Sequence, residues 1–238
     1  MKITPIKTRV FRENESLIDF IFKYIKRLPE KSVLVVTSKI VALSEGRTVE
    51  YRNSRQKIEL IKKESVFAKK TKIVWLTIKD GMVMTSAGID ESNANGKLIL
   101  LPKASFKSAE MIRNSLIKKF RLKNLGVIIT DSRLMPLRAG VVGLALGYAG
   151  FQGVKNNIGK KDIFGKILKM SKTDIADGLA TSAVLCMGEA AERQPLALVT
   201  KAPIVFKNKI KQGELIISPK KDIYAPLFYT FKSNKKRK

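Results

Sequence analysis

Two short, continuous apolar runs stand out along the chain. Residues 32–37 (Ser-Val-Leu-Val-Val-Thr) and 125–130 (Leu-Gly-Val-Ile-Ile-Thr) predict buried strands, the second ending at Asp131-Ser132. Residues 15–28 set Leu17, Phe20, Ile21, Tyr24 and Ile25 on one helical face. Residues 54–70 predict a charged helix, and residues 105–120 an amphipathic one capped by Ser105 or Ser108. Residues 73–78 and 82–85 predict a hairpin around Lys79-Asp80-Gly81. Further strands are expected at 98–101, 196–199 and 203–206. Residues 173–187 predict a helix whose Ala176, Ala180 and Ala183 permit tight packing, as a subunit interface requires. Five glycines fall within residues 139–153, too many for an ordinary element interior. They predict close backbone approach, to another strand or to a ligand.

Composition narrows the chemistry. The chain has 238 residues, enough for one sizeable domain or two small ones, and its 45% hydrophobic content excludes wholesale disorder. No apolar run reaches the roughly 18 to 20 residues that cross a bilayer, and the N-terminus has no apolar signal core. A soluble, cytoplasmic protein with no membrane partner is expected. Cys186 is the only cysteine and there is no histidine. This excludes a disulfide framework, a multi-cysteine zinc site and any histidine-based triad. Carboxylates, lysines, hydroxyls, backbone amides and bound metal are left to do the work. The net charge is +27, of which residues 201–238 supply +9. Such a balance suits polyanionic partners, or a solvated basic surface. Aromatic residues accompany the basic ones only near the C-terminus, at Tyr224, Phe228, Tyr229 and Phe231. Residues 232–238 read as a frayed basic tail.

Acidic residues are scarce, so their placement is informative. Asp131 follows an apolar strand, where α/β folds open ligand crevices, with the Ser132 hydroxyl beside it. Such oxygens suit Mg²⁺ or Mn²⁺ bridging phosphates; the alternative is that Asp131 caps the next segment. Asp90, in Ser86-Ala-Gly-Ile-Asp-Glu-Ser-Asn93, is a second ligand candidate, or the head of an Asx-turn. Ser38-Lys39 after the first strand, Arg133, Arg138 and the basic loop Gly159-Lys-Lys-Asp162 are candidate phosphate contacts. Neither common Gly-rich phosphate loop is present.

Taken together, these segments resemble the coenzyme F-420-0:L-glutamate ligase (gamma-glutamyl ligase) family. The motifs are Val36-Thr-Ser-Lys-Ile-Val41 with Glu45-Gly46, the Asp90 segment, Gly126-Val-Ile-Ile-Thr-Asp131, Arg138-Ala-Gly-Val-Val-Gly143, Gly159-Lys-Lys-Asp-Ile-Phe-Gly165 and Met187-Gly-Glu189. They occur in family order over residues 1–206. The resemblance implies an uncommon α+β fold, forming an intertwined homodimer with the active site near the subunit interface. It assigns 1–206 to the ligase domain, 207–231 to a C-terminal β element and 232–238 to the tail. It implies Asp90, Asp131, Ser132 and Glu189 as metal ligands, with Mg²⁺ or Mn²⁺ and a K⁺ ion. Arg9 and Val10 within 8–11, Ser38, Lys39, Asn93 and Arg133 are implied as contacts to GTP or ATP. From their charge and place in the chain, Arg138 and Lys160, with Arg133, are candidates to neutralise phosphate or substrate carboxylates, the alternative being surface solvation.

The implied reaction needs no histidine. An acceptor carboxylate, from a deazaflavin or a folate, attacks the γ-phosphate, and the amine of L-glutamate displaces phosphate from the acyl phosphate. The chain resembles a bacterial branch linked to folate metabolism. It departs from the family pattern at Arg9, at Leu43 and at Arg193-Gln194. A basic nucleic-acid-binding module and a catalytically silent binding subunit are the alternative readings; the first rests on charge alone.

Overall fold

In the computed structural model, which describes residues 1–226, the chain opens with β1 (Lys2–Ile6), α1 (Leu17–Tyr24), β2 (Ser32–Thr37), α2 (Ser38–Ser44) and β3 (Thr48–Val49). There follow α3 (Ser54–Lys63), β4 (Phe67–Lys70), β5 (Trp75–Lys79), β6 (Met82–Thr85), β7 (Leu98–Ile99) and α4 (Ser105–Phe120). The remainder is β8 (Leu125–Leu134), β9 (Val141–Ala149), β10 (Val154–Asn156), β11 (Lys172–Asp174), α5 (Ile175–Met187) and β12 (Leu196–Thr200). Helices and several separate sheets make this an α+β structure.

A mixed five-stranded sheet, in the order β1-β12-β2-β8-β9, forms the centre. The two apolar runs are its middle: β2 and β8 pair in parallel from Ser32 opposite Leu125 to Thr37 opposite Thr130. Both are buried on both faces, which is why they read as continuous rather than alternating. Leu34, Val36, Val127 and Ile129 pack under α1 and α4; Val33, Val35 and Ile128 pack under α5. A three-stranded meander, β4-β5-β6, and the β3–β7 pair lie outside this sheet.

Where the structure departs from the local pattern, a tertiary partner decides. The first helix stops at Tyr24, although Ile25 stays buried. The charged segment 54–70 is a helix only to Lys63; residues 67–70 pair with β5 instead. The Asp131-Ser132 end of β8 is no end: the strand runs on to Leu134 because β9 pairs with it from Val127 to Leu134. Ala176, Ala180 and Ala183 face the chain's own sheet, fully buried, not a subunit interface. Neither Ser105 nor Ser108 caps α4. Ala104 holds that position without a side-chain bond, while the Glu45 carboxylate accepts from Lys103 N (2.8 Å) and Ser108 Oγ (2.9 Å). Residues 203–206 form no strand, only a bridge from Phe206 to Phe151.

The glycine-rich run is largely β9; its close approaches are to α5 and α4 and, at Gly150 just past β9, to another strand as expected, where an added Cβ would meet Leu125 O of β8. A Cβ at Gly143 would lie 2.7 Å from Ala180 O in α5, and one at Gly147 would lie 2.4 Å from Ser105 C in α4. The two helices occupy opposite faces. Both are reached because the pairing slips between Ile129 and Thr130, making Leu146 an extra residue that faces the α4 side together with Gly147.

Helix α5 also fastens β9. Asp174 caps the helix by accepting from Asp177 N (3.0 Å); Asp177 Oδ1 accepts from Ala145 N (2.8 Å), and Thr181 Oγ1 donates to Gly143 O (2.7 Å). Burial, reinforced by the neighbouring Asp174 carboxylate, pushes the Asp177 carboxyl up to about 7. In the unfolded chain this group ionises near pH 3.9. Between about pH 4 and 7 folding must therefore take up a proton, and stability falls as pH rises through that window. Asp177→Asn keeps the acceptor for Ala145 N and removes the proton uptake. Its thermal midpoint is expected to match the wild type near pH 4 and to exceed it by roughly 3 °C at pH 8. Equal midpoints at both pH values would exclude this role.

Residues 207–224 form turns and irregular chain, with no strand, and fold back on the sheet. Tyr148 Oη and Gly153 N both donate to Glu214 Oε1 (2.6 and 2.8 Å), and Arg113 Nη2 donates to Asn208 Oδ1 (2.7 Å). Of the C-terminal aromatic residues, Tyr224 is half-exposed; Phe228, Tyr229 and Phe231 lie outside the described residues, as do 232–238.

Candidate functional site

A cavity of about 670 Å³ opens where the parallel pairing of β2 and β8 ends. Its walls come from five distant segments: 8–11 after β1, 37–43 at the β2–α2 junction, 85–95, 130–133 of β8, and 184–195 from the last turn of α5 to the start of β12. Of the residues expected from sequence, Arg9, Val10, Ser38, Lys39, Asp90, Asn93, Asp131, Ser132, Arg133 and Glu189 all line it.

The two aspartates are each neutralised from within. Asp131 Oδ1 accepts from Ser38 Oγ (2.9 Å), and its Oδ2 pairs with Arg133 Nη1, which also donates to Ser132 O. Two residues apart on an extended strand, Asp131 and Arg133 fall on the same side, so the pair is built into β8. The Arg133 side chain is 6% exposed, and its Nε and Nη2 have no protein partner. Asp90 Oδ2 lies 2.7 Å from Lys39 Nζ and accepts from Ser92 Oγ, while Oδ1 accepts from Ser92 N (2.7 Å). Burial pushes the Asp90 carboxyl up, but Lys39 and the two Ser92 donors outweigh it and hold it below the usual range. Asp90 thus heads an Asx-turn and lines the cavity. Ser132 Oγ donates to Glu189 Oε1 (2.7 Å), tying β8 to the segment after α5.

The Asp90 loop is held under strain. Ser86, Ala87 and Asn93 have φ of 49°, 57° and 52°, in the left-handed region. Buried Ala87 is kept there by its N–H, which donates to Thr77 Oγ1 (2.8 Å); that hydroxyl in turn donates to Met84 O.

Three candidates sit differently. Arg9 lines the cavity, but its guanidinium pairs with Glu15 and stacks 5.1 Å over the Phe20 ring. Arg138 lies on the exposed β8–β9 turn, and Lys160 on the exposed 156–172 arm, where its Nζ donates to Asn157 Oδ1 (3.3 Å). Neither lines this chain's cavity. Among the described residues no three acidic side chains converge as a ready metal cluster.

A profile of F420-0:gamma-glutamyl ligase matches residues 5–201. The chain belongs to this family. It is 33% identical over 233 residues to coenzyme F420:L-glutamate ligase of Methanococcus maripaludis (strain C7 / ATCC BAA-1331), covering 89% of this chain and 91% of that one. It is 31% identical to the protein of the same name from Methanocaldococcus jannaschii over 242 residues, covering 93% and 95%, and 30% identical to that from Archaeoglobus fulgidus over 221 residues, covering 85% and 88%.

The cavity is also lined by Arg193 and Gln194, to which the sequence assigned no role. Thr8 N donates to Arg193 O (2.8 Å), joining the first and last walls. Gln194 Oε1 is buried without a protein partner. Both Arg193 and Gln194 stand out in the sequence only as departures from the family pattern. Glu45, from the Glu45-Gly46 motif, serves α4 as described above and does not line the cavity.

Proposed function

We propose that the chain joins L-glutamate to the terminal carboxylate of coenzyme F420-0, using GTP, in a cytoplasmic homodimer. One observation carries the reading. Four cavity residues, Ser38-Lys39 and Asp131 with Arg133, meet at the carboxyl end of the only strands paired in parallel among the described residues, with Asp90 brought in to Lys39. This is where α/β sheets receive phosphorylated ligands. The family membership and the printed names of the relatives supply the acceptor and the amino acid.

In the reaction, an acceptor carboxylate oxygen bonds to the γ-phosphorus as the bond to the GDP oxygen breaks. The glutamate amine then bonds to the acyl carbon, phosphate leaves, and the nitrogen loses a proton. Lys39, Arg133 and Asn93 hold the triphosphate in register; Lys39 and Arg133 neutralise it. The unpartnered Nε and Nη2 of Arg133 suit a phosphate or carboxylate oxygen pair. The donor set fits a hard divalent ion: Asp131, Ser132 and Glu189 on one side, and Asp90 on the other, offer oxygens alone. With no three acidic groups together, each is a partial set of the kind that Mg²⁺ or Mn²⁺ completes with water and phosphate oxygens. When bound, a divalent ion held by these oxygens would supply charge neutralisation to the triphosphate, and K⁺ would add to it.

A dimer is supported by the exposed apolar side chains on the β8–β9 turn and the 156–172 arm. Leu137 is fully exposed, and Ile163 and Phe164 are about nine-tenths exposed (91% and 89%). Arg138 and Lys160 sit on these same segments. They reach a cavity across the interface.

A ligation assay read by mass spectrometry tests the reading. Protein, L-glutamate, GTP or ATP, Mg²⁺ or Mn²⁺ and K⁺ are mixed with coenzyme F420-0 or with a reduced folate. The expected product is F420-0 heavier by one glutamyl unit. Neither product nor nucleotide hydrolysis with either acceptor would overturn it.

A further inference from the structure

A second cavity, of about 530 Å³, lies on the other side of the strand that faces Asp131. It is bounded by β9 at Leu144–Leu146, the first turn of α4, the β5–β6 turn at Asp80–Met82, and the returning segment 212–216. Three observations separate it from a packing gap. Its volume falls in the range of small-molecule sites, roughly 300–1,000 Å³. Its lining is mainly apolar, with Leu101, Phe106, Leu146 and Ile216, whereas the first cavity mixes apolar residues with a large share of charged groups and hydroxyls. Its charged lining residues are two exposed cations, Lys103 and Lys107, one exposed carboxylate, Asp80, and the half-buried Asp177, whose carboxyl burial pushes up to about 7.

The two cavities adjoin. Leu144, in the second, pairs across the sheet with Asp131, in the first. Thr130 Oγ1 donates to Leu144 O (3.0 Å), and Gly88 of the first cavity lies against the Leu101 side chain of the second. One strand pair is the partition between a mainly apolar chamber and the phosphate site.

We propose that this second cavity seats the aromatic ring of the acceptor, leaving the acceptor's acidic tail to run past the lysines to the first cavity. The inference rests on the ligase reading above and adds where the acceptor is recognised. Its occupant is a planar, apolar ring system joined to an anionic chain. The ring lies among Phe106, Leu146 and Ile216, and the anionic chain is drawn by Lys103 and Lys107. The division explains how one protein handles three anionic reactants: the ring is selected by apolar fit in a chamber the nucleotide does not enter.

The test is a fluorescence titration with coenzyme F420-0, whose deazaflavin ring reports its own surroundings, in the absence of nucleotide. Wild type is compared with Ile216→Asp and Lys107→Glu, both at exposed positions outside the first cavity. Thermal midpoints serve as a check of folding, and GTP affinity is measured in the presence of Mn²⁺. Expected is a loss of acceptor affinity of about tenfold or more in each variant, with GTP affinity within about twofold of wild type. Unchanged acceptor affinity in both folded variants overturns the site and leaves the ligase reading standing. No binding of F420-0 to the wild type also overturns the site, even if another carboxylate is glutamylated. Binding to the wild type that both variants lose, with neither glutamyl product nor nucleotide hydrolysis, supports the site and overturns the ligase reading.

Discussion

Asp131→Asn is expected to abolish ligation, by about a thousandfold or more, and also to destabilise the protein. The sequence suggests only the first effect. The second follows from Arg133, whose guanidinium is almost fully buried and has Asp131 as its charged partner. Removing one member of such a pair leaves a buried charge uncompensated, which costs about 3 kcal/mol. Adding Arg133→Met removes that charge. The double variant is therefore expected to recover most of the lost stability in urea unfolding while remaining inactive. The cycle separates two roles that a single substitution confounds. If Asp131→Asn ligates at the wild-type rate, Asp131 has no part in the chemistry. If it is as stable as the wild type, the Arg133 pair contributes nothing to the fold.

Gly147→Ala is expected to destabilise the protein by about 3 kcal/mol, the upper range for forcing atoms into a packed interior. The added methyl would lie 2.4 Å from Ser105 C and 2.5 Å from Phe106 N. These are backbone atoms of the first turn of α4, which cannot step aside as a flexible side chain would. The first turn also walls the second cavity, so acceptor affinity falls together with stability. The same substitution at Gly178 is the control. It lies in α5 with nothing within 4 Å of an added Cβ, and there alanine is expected to add about 0.5–1 kcal/mol through helix propensity. Thermal unfolding of the two variants checks both signs; two changes of the same sign would defeat the packing argument.

Much of this was legible in the chain. Residues 32–37 and 105–120 form their elements at the expected ends, because each carries a complete local signal: an unbroken apolar run in one, a two-faced helix in the other. The hairpin was legible because Asp80-Gly81 supplies the left-handed turn, with φ of 51° and 77°. The site was legible through residue type and order. With no histidine and one cysteine, the few placed carboxylates and the lysines beside strand ends were the remaining chemistry, and ten of the twelve candidates line one cavity.

What was not legible depends on partners far away in the chain. Nothing local says that residues 67–70 leave a helical segment to pair with β5, or that β8 continues past Asp131 because β9 lies on its free edge. The alanine face of α5 looks the same whether a subunit or the chain's own sheet covers it. Arg138 and Lys160 share the residue type of the site but lie outside this chain's own cavity.

The sequence by itself determined which segments are apolar enough to be core and which chemical groups exist to act, since periodicity and composition are properties of consecutive residues. Only the tertiary structure decided which cation neutralises which aspartate, which face of β9 each glycine serves, and that an apolar chamber adjoins the charged one. Those are relations between segments tens of residues apart, and they come into being when the sheet brings the segments together.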